Sequence, residues 1–239
     1  MKPDLSILIV TPVFIEDLKI IERCLNSIKK QNSICHIKHL LIFDGISRVD
    51  LPEDFETAYP NTVFRRCTYN HDDYGDYIRR IGTRIAICKN YDALSYLDID
   101  NYLSQSHVER VVEKFYEEKK NIIISKRRIF SENGSIENED KSNFFDTNTI
   151  TFFGDAMKIG LLWGKYPKEL SLIGDRIISK YITKNYTHEL SFLNEPLVNY
   201  TFSKIPNEKI NHIKDWYKSD YKNIKKKFLK HFGFNLIFK

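Results

Sequence analysis

No apolar stretch of this chain approaches the length of a bilayer span. The run Leu5 to Val10, directly after Met1-Lys2-Pro3-Asp4, is also too short for a signal-peptide core, so the expected location is the cytoplasm. In that compartment the N-x-S/T sequons at Asn133, Asn185 and Asn199 carry no glycan. Cysteine is sparse: Cys24, Cys35, Cys67 and Cys88 form no C-x-x-C pair and have no histidine at zinc-finger spacing. These four read as reduced core thiols. A formal charge of +5 over 239 residues is modest, and no nucleic-acid-binding motif accompanies the lysines, which argues against a DNA or RNA partner. Internal repeats and low-complexity tracts are absent too.

What is present is an alternation of buried-strand and amphipathic-helix patterns. Ser6 to Thr11 is apolar and β-branched, and Ile20, Ile21, Cys24, Leu25 and Ile28 then recur at helical spacing. Ile37 to Phe43 is a second strand ending at Asp44-Gly45, residues 51–60 read as loop, and Val63 to Cys67 as a short strand. Ile78, Ile81, Ile85 and Cys88 mark a helical face. Ser104 is placed to cap a helix buried through Val108, Val111, Val112 and Phe115, followed by a strand at Ile122 to Ser125. Strands alternating with helices predict an α/β fold, Rossmann-like and doubly wound, with a mostly parallel sheet. Residues 131–143 are polar and acidic, a mobile loop or hairpin tip. Beyond them come a strand candidate at Thr147 to Phe153, a short helix toward Trp163, and a helix whose apolar face includes Ile173, Ile177, Ile178, Tyr181 and Ile182.

Asp98-Ile99-Asp100 follows the buried-strand pattern that ends at Leu97, and the carboxyl edge of such a strand is where α/β sheets bind ligands. If the extended conformation persists through Asp100, both carboxylates project to one side. Hard oxygen ligands of this kind suit Mn²⁺ or Mg²⁺. Alone, the triplet reads as a solvated turn after a strand.

The ordered set Ser6-Ile7-Leu8-Ile9-Val10-Thr11-Pro12, Asp44-Gly45-Ile46-Ser47, Tyr74-Gly75-Asp76-Tyr77-Ile78-Arg79, Asp98-Ile99-Asp100-Asn101, Phe145-Asp146-Thr147-Asn148, Trp163 and Gly174-Asp175-Arg176 resembles family 2 glycosyltransferases with the GT-A fold, over roughly residues 5–202. The resemblance implies a metal-dependent inverting enzyme that takes a nucleotide-sugar donor, a UDP-sugar favoured. Its acceptor would be a glycan or lipid-linked molecule in bacterial surface polysaccharide or lipooligosaccharide synthesis. It also implies Thr11 and Pro12 lining the base pocket, Asp44 accepting from base or ribose, Arg79 at the diphosphate, Asp98 at ribose or metal, and Asp100 at the metal. Asp175 would be the general base, and Asp146, Asn148 and Trp163 would contact donor sugar or acceptor. Where many relatives carry paired aspartates before Gly-Ser, this chain has Phe43-Asp44-Gly45-Ile46-Ser47. Asp76 orients Arg79, contacts the nucleotide or caps a helix; Asn101 holds a water or a sugar hydroxyl. Arg80 and Arg84 read as a solvated helix face, and His71, His188 and His212 as surface or packed histidines.

On this reading residues 1–205 form the GT-A domain, with a donor half of about 1–130 and an acceptor half of 131–205, and 206–239 form a C-terminal helical appendage. The appendage combines the seam Ile210, Ile213, Tyr217, Tyr221, Ile224, Phe228 and Phe232 with Lys218, Lys222, Lys225, Lys226, Lys227 and Lys230. That pattern fits either an anionic membrane surface at the inner face of the cytoplasmic membrane or a helix packed on the enzyme. Two rival functions are a non-catalytic membrane-peripheral nucleotide-binding protein and a sugar-nucleotidyltransferase. The missing Gly-rich, basic phosphate loop after the first strand argues against the second.

Overall fold

The computed structural model describes residues 4–14, 17–32, 34–45, 51–130, 136–139, 144–201 and 221–234. A sheet in the order β3-β2-β1-β4-β8-β6-β9-β5, with β7 added on β6, forms its centre. The strands are β1 (Ser6–Val13), β2 (His36–Phe43), β3 (Thr62–Arg66), β4 (Ala93–Tyr96), β5 (Tyr102–Leu103), β6 (Ile122–Phe130), β7 (Ile136–Glu139), β8 (Ile150–Phe153) and β9 (Leu190–Thr201). Pairing is parallel throughout β3-β2-β1-β4, the part built from the alternating strand and helix patterns. It turns mixed beyond β4, where β8 runs antiparallel to both β4 and β6 while β9 runs parallel to β6.

Alternation along β1 explains why helices cover both faces. Ile7, Ile9 and Val13 join the core that includes Ile21, Cys24, Leu25 and Ile28 of helix α1 (Leu18–Lys29). Leu8 and Val10 point the other way, into the core shared with Ile78 and Ala86 of α3 (Asp76–Cys88). A Cβ at Gly82 would come within 2.5 Å of Val10, so this glycine lets α3 lie directly on the strand. Helix α4 (His107–Glu118) adds Val108, Val111 and Val112 to the α1 side, and α5 (Gly174–Asn185) adds Ile177, Ile178 and Ile182 to the α3 side.

Several boundaries differ from the sequence expectation. Residues 51–60 contain a one-turn helix, α2 (Phe55–Ala58), anchored by buried Phe55. Ser104 does not cap α4; its carbonyl receives the His107 amide at 3.0 Å and the Gln31 side chain at 2.8 Å, and the helix begins after Ser106. Thr147–Thr149 is a 3₁₀ turn because the Asp146 carboxylate accepts the Asn148 amide at 3.0 Å, and β8 starts only at Ile150. The segment after it, Gly154–Leu162, is the short helix expected toward Trp163 and is of the 3₁₀ type. Cys88 is exposed and Cys67 half-buried, so only Cys24 and Cys35 are core thiols. The α3 stripe that reaches the sheet is Ile78, Gly82 and Ala86, which turns Cys88 outward. Within 131–143, β7 pairs antiparallel with β6, as a hairpin requires; the rest of that stretch lies outside the described residues.

The tail from 221 onward is α6 (Tyr221–Phe232), and its seam is not available to a membrane. Ile224, Phe228, Phe232 and Phe234 are buried in the same core as Tyr166, Ile177 and Ile182. Lys222, Lys225, Lys226 and Lys230 occupy the exposed face. Ile210, Ile213, Tyr217 and Lys218 lie outside the described residues. No helix among those described is long and apolar enough to cross a membrane.

Candidate active site

The Asp-Ile-Asp triplet is delivered by a turn. β4 ends at Tyr96, the Asn101 amide closes on the Asp98 carbonyl at 3.0 Å, and only Ile99 is buried in the core between the two aspartates. The expected extended geometry is therefore replaced by a turn that still leaves Asp98 and Asp100 close enough for their charges to interact. Its outer end is braced from two sides. Arg23 of α1 donates to the Asp100 carbonyl at 2.5 Å, and Thr201, the last residue of β9, donates its hydroxyl to the same oxygen at 2.9 Å. Asn101 is buried and accepts the Thr201 amide at 2.8 Å, so it ties β9 to the turn and does not face a sugar.

Beneath the turn lies a buried polar network. Arg79 donates to the Asp98 carboxylate, to the Tyr74 carbonyl at 2.8 Å and toward Asp76 at 3.5 Å, while its guanidinium covers the Trp163 ring at 5.1 Å. Burial opposes the arginine's charge, but Asp98 and Asp76 outweigh it and hold the proton more firmly than usual. Two expectations change here: Arg79 is a buried positioning group for Asp98 rather than an open diphosphate ligand, and Trp163 is packed under it and against Tyr96, with no face free for a pyranose. Asn148 donates to Asp98 at 3.0 Å and to Asp146 at 2.7 Å, and its carbonyl accepts the Asp98 amide at 2.5 Å. Asp146 also accepts from Arg127 of β6 at 2.5 Å. Both Asp146 and Asn148 are buried, so they hold the carboxylate turn from below instead of lining an open sugar site.

Asp100 differs from these neighbours. No side chain among the described residues donates to its carboxylate, and burial together with the charges of Asp98 and Asp146 pushes it up to about 7. Asp175 stands in the first turn of α5, where the Arg176 amide donates to it at 2.7 Å; it lies inside the helix, two residues past the cap position at Ile173. Burial and the charge of Asp146 push Asp175 up to about 7 as well, against the pull of Arg176 and Arg127. Asp146 thus bears on both groups. Asp76 is fully buried and also raised to about 7, by burial, with Arg79 pulling it down. It stands at the start of α3, where the cap position is taken by Gly75 at φ 84°.

At the other end of the parallel edge, Asp44 follows β2 and accepts from the His71 amide at 3.2 Å and faces the His71 ring nitrogen at 2.5 Å. Pro12 packs under Gly75 so closely that a Cβ there would sit 2.8 Å from the proline ring. Thr11 does not line a pocket through its side chain. It is fully buried, and its hydroxyl meets His39 at 2.8 Å, because odd-numbered β1 residues face α1. Burial lowers His39 to about 3, leaving the ring neutral between Thr11 and Thr62. Arg84 is exposed as expected, Arg80 lies over Tyr77, and His188 is a surface residue beside Glu189; His212 lies outside the described residues.

Sequence reasoning did not find Arg127, Arg23, Thr201, Tyr166 or the Asp44–His71 contact. Arg127 sits in Lys126-Arg127-Arg128, where alternation alone marks it as the inward member; nothing local names its partner. Tyr166 approaches Gly174 so closely that a Cβ there would meet its hydroxyl at 2.2 Å, linking the loop before α5 to the Asp76 pocket.

A parallel first half, a mixed second half, and an acidic turn where they meet define a GT-A α/β fold. The profile of glycosyl transferase family 2 matches residues 8–167, and the chain belongs to that family. Among solved structures, S. aureus TarS is similar with a TM-score of 0.63 and 15% identity, over 97% of this chain and 44% of that one. The complexes of TarS 1-349 with UDP (TM-score 0.63, 15% identity, 96% and 72% of the two chains) and with UDP-GlcNAc (0.60, 12%, 95% and 67%) are similar too. At these identities the likeness is one of fold, and this chain spans less than half of the first of these TarS chains. No curated protein matches the sequence.

Proposed function

We propose that this chain transfers a sugar, with inversion, from a nucleotide-sugar donor to a hydroxyl of a glycan or lipid-linked acceptor in bacterial surface-glycan synthesis. A UDP-sugar is favoured, because the TarS structures of the same fold hold UDP and UDP-GlcNAc. The observation that carries the reading is the acidic turn Asp98–Asp100, held from below by Asn148 and buried Asp146, with Asp175 of α5 near enough to feel the charge of the same Asp146; burial raises both Asp100 and Asp175. A general base is most effective with its pKa near the working pH, and an acidic cluster held together by burial suits a cation and a diphosphate.

The residues fit a divalent metal. Asp98 and Asp100 would hold Mn²⁺ or Mg²⁺, since both offer hard oxygen and Asp100 has no competing side-chain donor among the described residues. A bound cation supplies Lewis-acid neutralisation of the departing nucleoside diphosphate. Asp44 would hold the nucleoside. Asp175 takes the proton of the acceptor hydroxyl, whose oxygen bonds to the anomeric carbon from the face opposite the diphosphate. The bond between that carbon and the diphosphate oxygen breaks, and the nucleoside diphosphate leaves with the electron pair. Arg79, Asn148 and Arg127 keep the carboxylates in place throughout.

Residues 1–205 would carry this chemistry. The burial of α6 in the shared core supports reading the tail from 221 as part of the same folded unit, and contact with an anionic surface would fall to its exposed lysines. The test is titration of UDP, GDP, CMP and their sugar conjugates with Mn²⁺, Mg²⁺ or chelator, on the wild type, Asp100→Ala and Asp175→Asn. Selective metal-dependent binding lost in Asp100→Ala, with binding retained but turnover lost in Asp175→Asn, supports the proposal. Binding of no nucleotide under any condition would sink it in favour of a non-catalytic protein.

A further inference from the structure

Among the described residues, one set of three metal-ligating side chains of mixed type converges: the Asp44 carboxylate, the Cys67 thiol and the His71 ring, whose donor atoms all lie within 4.8 Å of one another. Three separate pieces of chain supply them. Asp44 follows β2, Cys67 follows β3 with its amide on the Phe43 carbonyl at 2.9 Å, and His71 lies in the loop before α3. His71 is fixed in place by stacking on Tyr77 at 3.8 Å and by its backbone amide, which reaches the Asp44 carboxylate at 3.2 Å. Its side chain keeps 24% exposure, so solvent reaches the group.

We propose that Asp44, Cys67 and His71 bind Zn²⁺, and that an ion there excludes the nucleoside from Asp44. Sulfur, imidazole and carboxylate together are a zinc-type donor set, whereas Asp98 and Asp100 offer oxygen alone and suit Mn²⁺ or Mg²⁺. Tetrahedral zinc holds its ligand atoms about 3.2–3.8 Å apart, so the Asp44–His71 contact opens by about 1 Å to take an ion. Three protein ligands leave the fourth position to water. The exclusion rests on the nucleoside role proposed for Asp44; the metal site does not.

The probe is Co²⁺ added to the metal-free full chain, because a thiolate ligand gives a near-ultraviolet charge-transfer band that oxygen ligands do not. The expected result is one equivalent of tetrahedral Co²⁺ with that band, displaced by Zn²⁺. Binding should weaken at least about tenfold in Cys67→Ser and in His71→Gln, and be unchanged in Cys88→Ser. Zn²⁺ should also weaken UDP binding measured with Mn²⁺ present, in the wild type and not in Cys67→Ser. No charge-transfer band, or a band that survives Cys67→Ser, overturns the site. UDP binding that Zn²⁺ leaves untouched while the band is saturated overturns the exclusion. A band with no UDP binding even in zinc-free protein supplied with Mn²⁺ upholds the zinc site and removes the donor reading instead.

Discussion

Replacing Asp175 with asparagine should make the protein more stable and less active at once. The side chain keeps its shape and its carbonyl can still accept the Arg176 amide, so the change removes a charge and little else. Raising a carboxylate from 3.8 to about 7 corresponds to about 4 kcal/mol at 1.36 kcal/mol per pH unit. Asp175 is only partly covered by surrounding atoms, and screening reduces this to about 2 kcal/mol. In a chain of this size that is about 4–8 °C in Tm. The sign follows from linkage. The folded-state pKa is raised, so the wild type has its full stability below about pH 4 and loses it as pH rises through about 7. The asparagine variant should therefore lead above pH 7, and its lead should shrink steadily down to about pH 4. Thermal or urea unfolding of the metal-free protein at pH 8, 7, 6, 5 and 4 reads this directly. A variant no more stable than wild type at pH 8, or a lead that does not change with pH, would refute the claim that Asp175 is a carboxylate ionised against its surroundings.

Turnover of the wild type should rise with pH through about 7 as Asp175 loses its proton, and a pH–rate profile flat between pH 5.5 and 8.5 would remove it as the base. Arg79→Ala should destabilise by about 3–5 kcal/mol, since it strands Asp76 in a buried site and releases Asp98; urea unfolding would show it, and a loss below 1 kcal/mol would mean the pair is not structural. Gly174→Ala should cost about 1–3 kcal/mol by driving a methyl into the Tyr166 hydroxyl, with recovery in the double variant Gly174→Ala/Tyr166→Phe; equal losses in both would point elsewhere. Phe228→Ala should cost about 3–5 kcal/mol if α6 completes the core, whereas a tail docked on the surface would lose under 1 kcal/mol.

The donor half of the fold was readable because its signals are local. Ile7 to Val10 and Leu40 to Phe43 are continuous apolar runs within β1 and β2, and the helical spacing of Ile21, Cys24, Leu25 and Ile28 matches the buried face of α1. The second half resisted because pairing direction is decided by partners distant in sequence: nothing in Ile150–Phe153 states that it runs antiparallel between β4 and β6. Site residues divide the same way. Asp98, Asp100 and Asp175 stand in recognisable motifs, while whether a side chain is open or already engaged depends on long-range contacts such as Arg79 to Asp98 or Thr11 to His39. Trp163 shows the limit plainly, since an aromatic that stacks on a sugar and one that fills a core look identical in sequence.

Asn148 places both its amide hydrogens on carboxylates and its oxygen on a backbone amide, which fixes the orientation of the group without ambiguity. Chemical ageing acts on this arrangement in one direction. Deamidation would exchange one nitrogen for oxygen, turning two donated hydrogen bonds into two repulsions and adding a negative charge between Asp98 and Asp146. A change of a single atom at a buried residue would thus pry apart the turn that carries the acidic pair, so the working life of the enzyme is tied to how firmly Asn148 is kept from water.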